Sequence, residues 1–131
     1  MIQNVVIADD SSTARMIIRR CLEIAGCIDA NFIEVADGEQ ALKVLRESEV
    51  DLLVTDLNMP NMDGRTLLKH VKASPRLTNL PIVVVSSASN EAVRDELMSQ
   101  GALAVVDKPI SPARLAEALK KLTDENQWGY A

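Results

Sequence analysis

Five times along this chain a short apolar run rich in β-branched residues gives way to a longer amphipathic stretch, and no other property of the sequence restricts the fold as much. Runs of that kind are strands buried on both faces, and the stretches between them are the helices that cover those faces. The pattern therefore predicts a parallel α/β sheet. The strands fall at residues 4–8, 31–36, 51–55, 81–86 and 103–106. After the first strand, Ile17, Ile18, Cys21, Leu22 and Ala25 mark one helical stripe, which stops at Gly26, a residue suited to the left-handed C-terminal position. After the second, Asp37 with Gln40 three residues on reads as a capping box ahead of Ala41, Leu42 and Leu45. Leu67, Leu68 and Val71 give residues 63–73 an apolar stripe, and Val93 and Leu97 do the same for 90–100. The last helix has Ser111 as its cap and Pro112 in the first turn, where a missing N–H costs nothing. Leu115, Ala118, Leu119 and Leu122 come after it at helical spacing.

Length and charge narrow the function classes. At 131 residues, with 47% hydrophobic and 25% charged, the chain suits one globular domain with a real core. That domain is expected over residues 1–122, followed at 123–131 by a polar tail that holds Trp128 and Tyr130 and either frays or docks. A formal net charge of −5 opposes nonspecific attraction to nucleic-acid backbones or anionic lipid, which leaves proteins as the expected partners. The apolar run at residues 5–8 is too short to span a bilayer and ends in two aspartates, so neither a membrane helix nor a signal peptide is expected, and the cytoplasm is the expected compartment. Cys21 and Cys27 lie six apart in a helical stretch without the further ligands a zinc site needs, and read as reduced core residues. His70, the sole histidine, falls on the polar side of the third helix.

Right-handed crossovers in an open parallel sheet leave a crevice outside the carboxyl ends of the strands, where the strand order reverses. The residues just past each strand are therefore the ones to read for chemistry. The first strand runs into Asp9 and Asp10, the third into Asp56, the fourth into Ser86 and Ser87, and the fifth into Asp107 and Lys108. The second ends in Ala36 and the helix-capping Asp37, as an edge strand away from the crevice would. The order 2-1-3-4-5 results, a doubly wound, flavodoxin-like (βα)5 fold. Asp9, Asp10 and Asp56 repel one another strongly in such a crevice unless a cation neutralises them, and a hard divalent ion such as Mg²⁺ suits oxygen ligands of this kind. A carboxylate can attack phosphorus to form an acyl phosphate. The charge developing on the transferred oxygens would be shared by the metal, the Lys108 ammonium and the Ser86 hydroxyl, which describes phosphoryl capture by Asp56. Singly, each group has a plainer reading: Asp9 and Asp10 as helix caps, residues 56–64 as a turn, Ser86 and Ser87 as loop hydrogen-bonders, Lys108 as a solvated charge. Their joint placement at four strand ends favours one site.

At these residues the chain resembles the receiver domains of two-component response regulators, of the single-domain chemotaxis (CheY-like) type. The resemblance runs from about Val5 to Leu122. It rests on the acidic pair Asp9-Asp10, the segment Thr55-Asp56-Leu57-Asn58-Met59-Pro60-Asn61-Met62-Asp63-Gly64, the hydroxyl of Ser86, and Lys108-Pro109. It implies Asp56 as phosphoacceptor and Mg²⁺ held by Asp9, Asp10, Asp56 and the backbone carbonyl of Asn58. It further implies that Ser86 and Lys108 engage the phosphoryl oxygens and that the Lys108–Pro109 peptide is cis. The implied donor is a histidine kinase's phosphohistidine or a small donor such as acetyl phosphate. The chain would then be no enzyme acting on a separate substrate, but a substrate that catalyses its own phosphorylation and slow dephosphorylation. Output would pass to a separate protein through the face made by the fourth helix, fifth strand and fifth helix. That partner is a motor component, a kinase or phosphatase or a relay protein, with a phosphate sink as the alternative role. A monomer is expected, with phosphorylation-dependent dimerisation as the alternative.

Three positions depart from the family pattern. Val105 stands where many receivers carry a Tyr or Phe whose ring swings on activation, and valine is too stiff and too small for that motion. Output is therefore expected to travel through the loop 86–90 and the helix after it. Leu57 replaces an aromatic beside the acceptor, and Ala88 stands where some receivers place a larger residue that influences dephosphorylation. Two competing classes fit less well. A haloacid-dehalogenase-like phosphatase wants an acid two residues after its nucleophile, where this chain has Asn58. A flavodoxin-like cofactor binder would use Ser11, Ser12 and Thr13 as its phosphate loop, against the repulsion of Asp9 and Asp10.

Overall fold

The computed structural model describes residues 2–87 and 90–130, with side chains through Leu122. Its elements are β1 (Asn4–Ala8), α1 (Ser12–Ile24), β2 (Asn31–Val35), α2 (Gly38–Glu47), β3 (Leu52–Asp56), α3 (Gly64–Ala73), β4 (Ile82–Ser86), α4 (Glu91–Ser99), β5 (Ala104–Asp107) and α5 (Pro112–Tyr130). All four strand pairings are parallel, and the sheet order is β2-β1-β3-β4-β5, as the strand ends implied.

The apolar strands divide their side chains between two cores, because successive residues of a strand point to opposite faces. Val6, Ala8, Leu53, Ile82, Val84 and Val105 pack with Leu42, Leu45, Leu67, Leu68 and Leu97 from α2, α3 and α4. Val5, Ile7, Leu52, Val54, Val83, Val85 and Val106 face the other way, onto Ile18, Cys21, Leu22, Leu115 and Leu119 from α1 and α5. The central strands β3 and β4 are buried along their whole length, whereas β2 at the edge leaves Asn31 and Glu34 exposed.

Each helix opens on a side-chain cap. Ser11, Asp37, Asp63 and Asn90 accept the N–H of Ala14, Gln40, Thr66 and Val93, and Ser111 accepts that of Arg114. The Gln40 side chain closes the expected box one residue early, accepting from the Ala36 N–H at 3.0 Å. Two details correct the sequence reading. Ile17 lies outside the α1 stripe, 46% exposed, because the helix buries only a narrow arc of Ile18, Cys21 and Leu22. Asp51 stands before β3 rather than in it, and its Oδ2 accepts the N–H groups of Gln3 and Asn4, both at 2.9 Å, tying the start of β1 to its neighbour.

Cys21 and Cys27 are free and buried, and burial pushes both thiols up. His70 is exposed. The backbone of α5 continues through Tyr130, but the docking of Trp128 and Tyr130 and the setting of Ala88 lie outside the described residues. Among the described residues no helix is long and apolar enough to cross a membrane.

One contact binds the two halves of the α2–α3 face. Asp37, buried at the head of α2, accepts the Gln40 N–H at 2.9 Å on one oxygen and the Asn61 side-chain amide at 2.8 Å on the other. Beside it the Gly38 N–H donates to the Met62 carbonyl at 2.9 Å, and a Cβ on Gly38 would lie 2.6 Å from that oxygen. Asn61 sits at φ 65°, a left-handed position that asparagine tolerates. The Gln40 N–H first and Asn61 second hold the Asp37 carboxyl below the usual carboxylate range. Its stabilising contribution is therefore present above the ordinary aspartate pKa and lost as pH falls through the lowered one. Asp37→Ala is expected to cost about 1–2 kcal/mol in urea unfolding at neutral pH, the range for a lost N-cap, with a smaller difference from the wild type on the acid side.

Candidate functional site

Four strand ends deliver their polar residues to one crevice. Asp9 and Asp10 come directly after β1, Asp56 closes β3, Ser86 closes β4, and Lys108 comes directly after β5. One carboxylate oxygen from each of Asp9, Asp10 and Asp56 lies within 4.8 Å of the other two. Asp9 and Asp56 are buried, while Asp10 is exposed and marks the open side. Lys108 reaches across the sheet, its Nζ 3.1 Å from Asp9 Oδ2 and 3.5 Å from Asp56 Oδ1. Ser86 is buried at the end of β4, in register with Asp107, and its carbonyl accepts the Lys108 N–H at 2.9 Å. Asn58 occupies the exposed turn two residues beyond Asp56. The Lys108–Pro109 peptide is cis, as the resemblance implied.

The acceptor candidate is held closely. Its Oδ1 takes the Leu57 N–H at 2.8 Å, and its carbonyl oxygen takes the Thr55 hydroxyl at 2.9 Å. Gly64 opens α3 so near that a Cβ there would stand 2.2 Å from the Asp56 carbonyl oxygen, so only glycine lets the helix start at this distance. Desolvation raises the Asp56 pKa, and the charge of Asp9 raises it further. Lys108 and the Leu57 N–H act against this without cancelling it. An all-oxygen donor set with one open side fits a hard divalent cation that keeps some of its water.

Three neighbours were missed from sequence. Arg15 donates from Nη1 to the Asp9 carbonyl at 2.6 Å and from Nε to Glu34 at 3.1 Å. Asn61 braces the turn that carries Asn58. On the far side of β5, Arg94 of α4 donates to the Val105 carbonyl and to Asp107, both at 2.9 Å. Arginines on amphipathic helices read as solvated charges, and nothing local to Arg15 or Arg94 says which strand it meets.

A family model described as the response regulator receiver domain matches residues 5–120. The chain belongs to that family. The receiver is 39% identical over 121 residues to the chemotaxis protein CheY of Pseudomonas aeruginosa, covering 90% of this chain and 94% of that protein. It is 35% identical over 118 residues to chemotaxis protein CheY-3 of Vibrio cholerae, at 90% and 89% coverage. Among solved structures, the chemotaxis response regulator CheY4 of Vibrio cholerae superposes with a TM-score of 0.80 at 26% identity, covering 92% of this receiver and 98% of that chain.

The raised Asp56 pKa makes a stability prediction. The unfavourable contribution is absent at low pH, where the carboxyl is protonated folded and unfolded alike, and grows as pH rises through the raised value. In EDTA at neutral pH, Asp56→Asn is expected to unfold at a higher urea concentration than the wild type. That gap should close toward about pH 3, below the ordinary aspartate pKa.

Proposed function

We propose that this receiver takes a phosphoryl group onto Asp56 and thereby switches the binding of a separate protein partner. The observation that carries the reading is the convergence of Asp9, Asp10 and Asp56 with the Lys108 ammonium in one partly buried crevice. A carboxylate oxygen of Asp56 attacks phosphorus of a histidine kinase's phosphohistidine or of acetyl phosphate. The new O–P bond forms as the bond to the histidine nitrogen or the acetate oxygen breaks. Lys108, already 3.5 Å from Asp56, pairs with the incoming phosphoryl oxygens, and the Ser86 hydroxyl donates to them. Mg²⁺ held by Asp9, Asp10, Asp56 and the Asn58 carbonyl would offset the charge that gathers on those oxygens. Water later hydrolyses the aspartyl phosphate, so the chain is modified and restored without acting on a separate substrate. Similarity to the chemotaxis relatives supports a cytoplasmic role in chemotaxis or a related signalling pathway.

The output face is α4, β5 and α5, where a groove of about 380 Å³ is lined by Arg94, Met98, Asp107, Arg114, Glu117 and Lys121. Leu97 is the one fully buried side chain of α4. Half-buried Val93 packs on the same core, and the rest of the helix is tied by charge, through Arg65 of α3 to Glu96 at 3.3 Å and through Arg94 to Asp107 and the Val105 carbonyl. A helix with so little apolar anchorage shifts at low cost. With Val105 unable to act as a ring switch, α4 and the loop leading to it carry the signal.

Intact mass spectrometry after incubation with acetyl phosphate tests the acceptor: one phosphoryl group is gained with Mg²⁺, none with EDTA, and none in Asp56→Asn. A gain that persists in Asp56→Asn excludes the assignment. For the output face, Arg94→Met should speed amide exchange across residues 91–99 about fivefold, as the loss of about 1 kcal/mol of hydrogen bonding implies. Exchange unchanged in that helix would remove Arg94 from the scheme.

A further inference from the structure

Every polar group of Asp9 is engaged. Its N–H donates to the Val35 carbonyl at 3.1 Å, Oδ1 accepts the Ser11 N–H at 2.9 Å, Oδ2 meets Lys108 at 3.1 Å, and its carbonyl accepts Arg15 Nη1 at 2.6 Å. The last bond is the one made by a side chain with no other place in the chemistry. It is short and charge-assisted, among the stronger kinds of hydrogen bond. The carbonyl belongs to the peptide that leads into Asp10, so the guanidinium fixes the plane from which both carboxylates depart. Arg15 is itself held, because Glu34 Oε1 accepts its Nε at 3.1 Å. Glu34 sits on the edge strand β2, the one strand that sends no group to the crevice. Arg19, stacked 5.0 Å over the Phe32 ring, approaches the second Glu34 oxygen at 3.8 Å and braces the pair from the far side.

We propose that Arg15, oriented by Glu34, is a positioning residue for the acidic pair Asp9-Asp10, setting its geometry for a divalent cation. The inference rests on the proposal that this crevice holds a metal and adds to it a layer outside the ligands. Outer partners of this sort commonly carry a 10- to 100-fold share of metal affinity, because they fix the aim of the groups that bind. Bulk charge predicts the opposite effect. Arg15 is a cation near a cation site, so removing it without loss of geometry would tighten Mg²⁺ binding. The sign of the change therefore separates positioning from mere charge.

Isothermal titration of the full chain with Mg²⁺ alone, with no phosphoryl donor, reads the effect directly. Arg15→Met is expected to weaken Mg²⁺ binding about tenfold, and Glu34→Gln to weaken it less. In the Arg15→Met background, Glu34→Gln should add almost nothing, since it acts through the arginine. Urea unfolding in EDTA accompanies each variant, and its midpoints should not track the order of the affinities. Unchanged or tighter Mg²⁺ binding in Arg15→Met overturns the proposal, as does an undiminished effect of Glu34→Gln in the absence of Arg15. A wild type that gives no Mg²⁺ heat would overturn the metal reading itself, a different result from a wild type that binds while Arg15→Met binds equally well.

Discussion

Lys108 spans the end of the sheet from β5 to Asp9 just past β1 and Asp56 on β3, and the site depends on that one ammonium. Two buried carboxylates and a third exposed one, with oxygens within 4.8 Å of each other, form a cluster that folding by itself disfavours. The ion pairs lower the repulsion but do not abolish it, and Asp56 remains harder to ionise than a free carboxyl. The excess negative charge that makes the fold uneasy is what a divalent cation would bind. The same lysine stands beside Asp56, where the proposed chemistry would add further negative oxygens.

Such a cluster survives because its surroundings are rigid. The strands that carry it are buried on both faces, with side chains alternating between two separate cores, so the carboxyl ends cannot splay without opening one core or the other. Around those ends lies a ring of contacts made to backbone and turns and not to the clustered carboxylate oxygens. Arg15 of α1, held by Glu34 on the edge strand, grips the Asp9 peptide, Asp37 and Asn61 grip the turn beyond β3, and the small size of Gly64 lets α3 start against the Asp56 carbonyl. The functional groups occupy strand ends while the bracing groups occupy helices and the edge, a division that parallel topology imposes.

The proposed output face is built on a different principle. There α4 gives the core only Leu97 and half-buried Val93, and Arg94 and Glu96 supply the polar part of its attachment. Partly exposed ion pairs hold a helix weakly compared with apolar burial. The contrast between a rigid crevice and a loosely tied neighbouring helix suits the proposed device, in which chemistry at Asp56 is read as a shift of α4. Arg94, bonded to the strand that carries Val105 and leads into Lys108, lies between the two.

The sheet order, the caps Asp37 and Ser111 and the groups at the four productive strand ends were legible in the sequence. A buried parallel strand announces itself by its apolar run, and the residues at its carboxyl end must lie at the crevice. The placement of Asp9, Asp10, Asp56, Ser86 and Lys108 is thus a local property repeated four times. Ile17 was misread because a helical stripe does not say how wide an arc its neighbours cover. Arg15 with Glu34, Asp37 with Asn61, and Arg94 with Asp107 were not legible, since the partners stand 19, 24 and 13 residues apart. Their meeting depends on how each helix is rotated and where it crosses the sheet. Sequence determined which atoms reach the crevice, because strand periodicity is short and strict. Only the tertiary structure decided which side chains hold those atoms in place, because that depends on the packing angle between elements, and no single element encodes it.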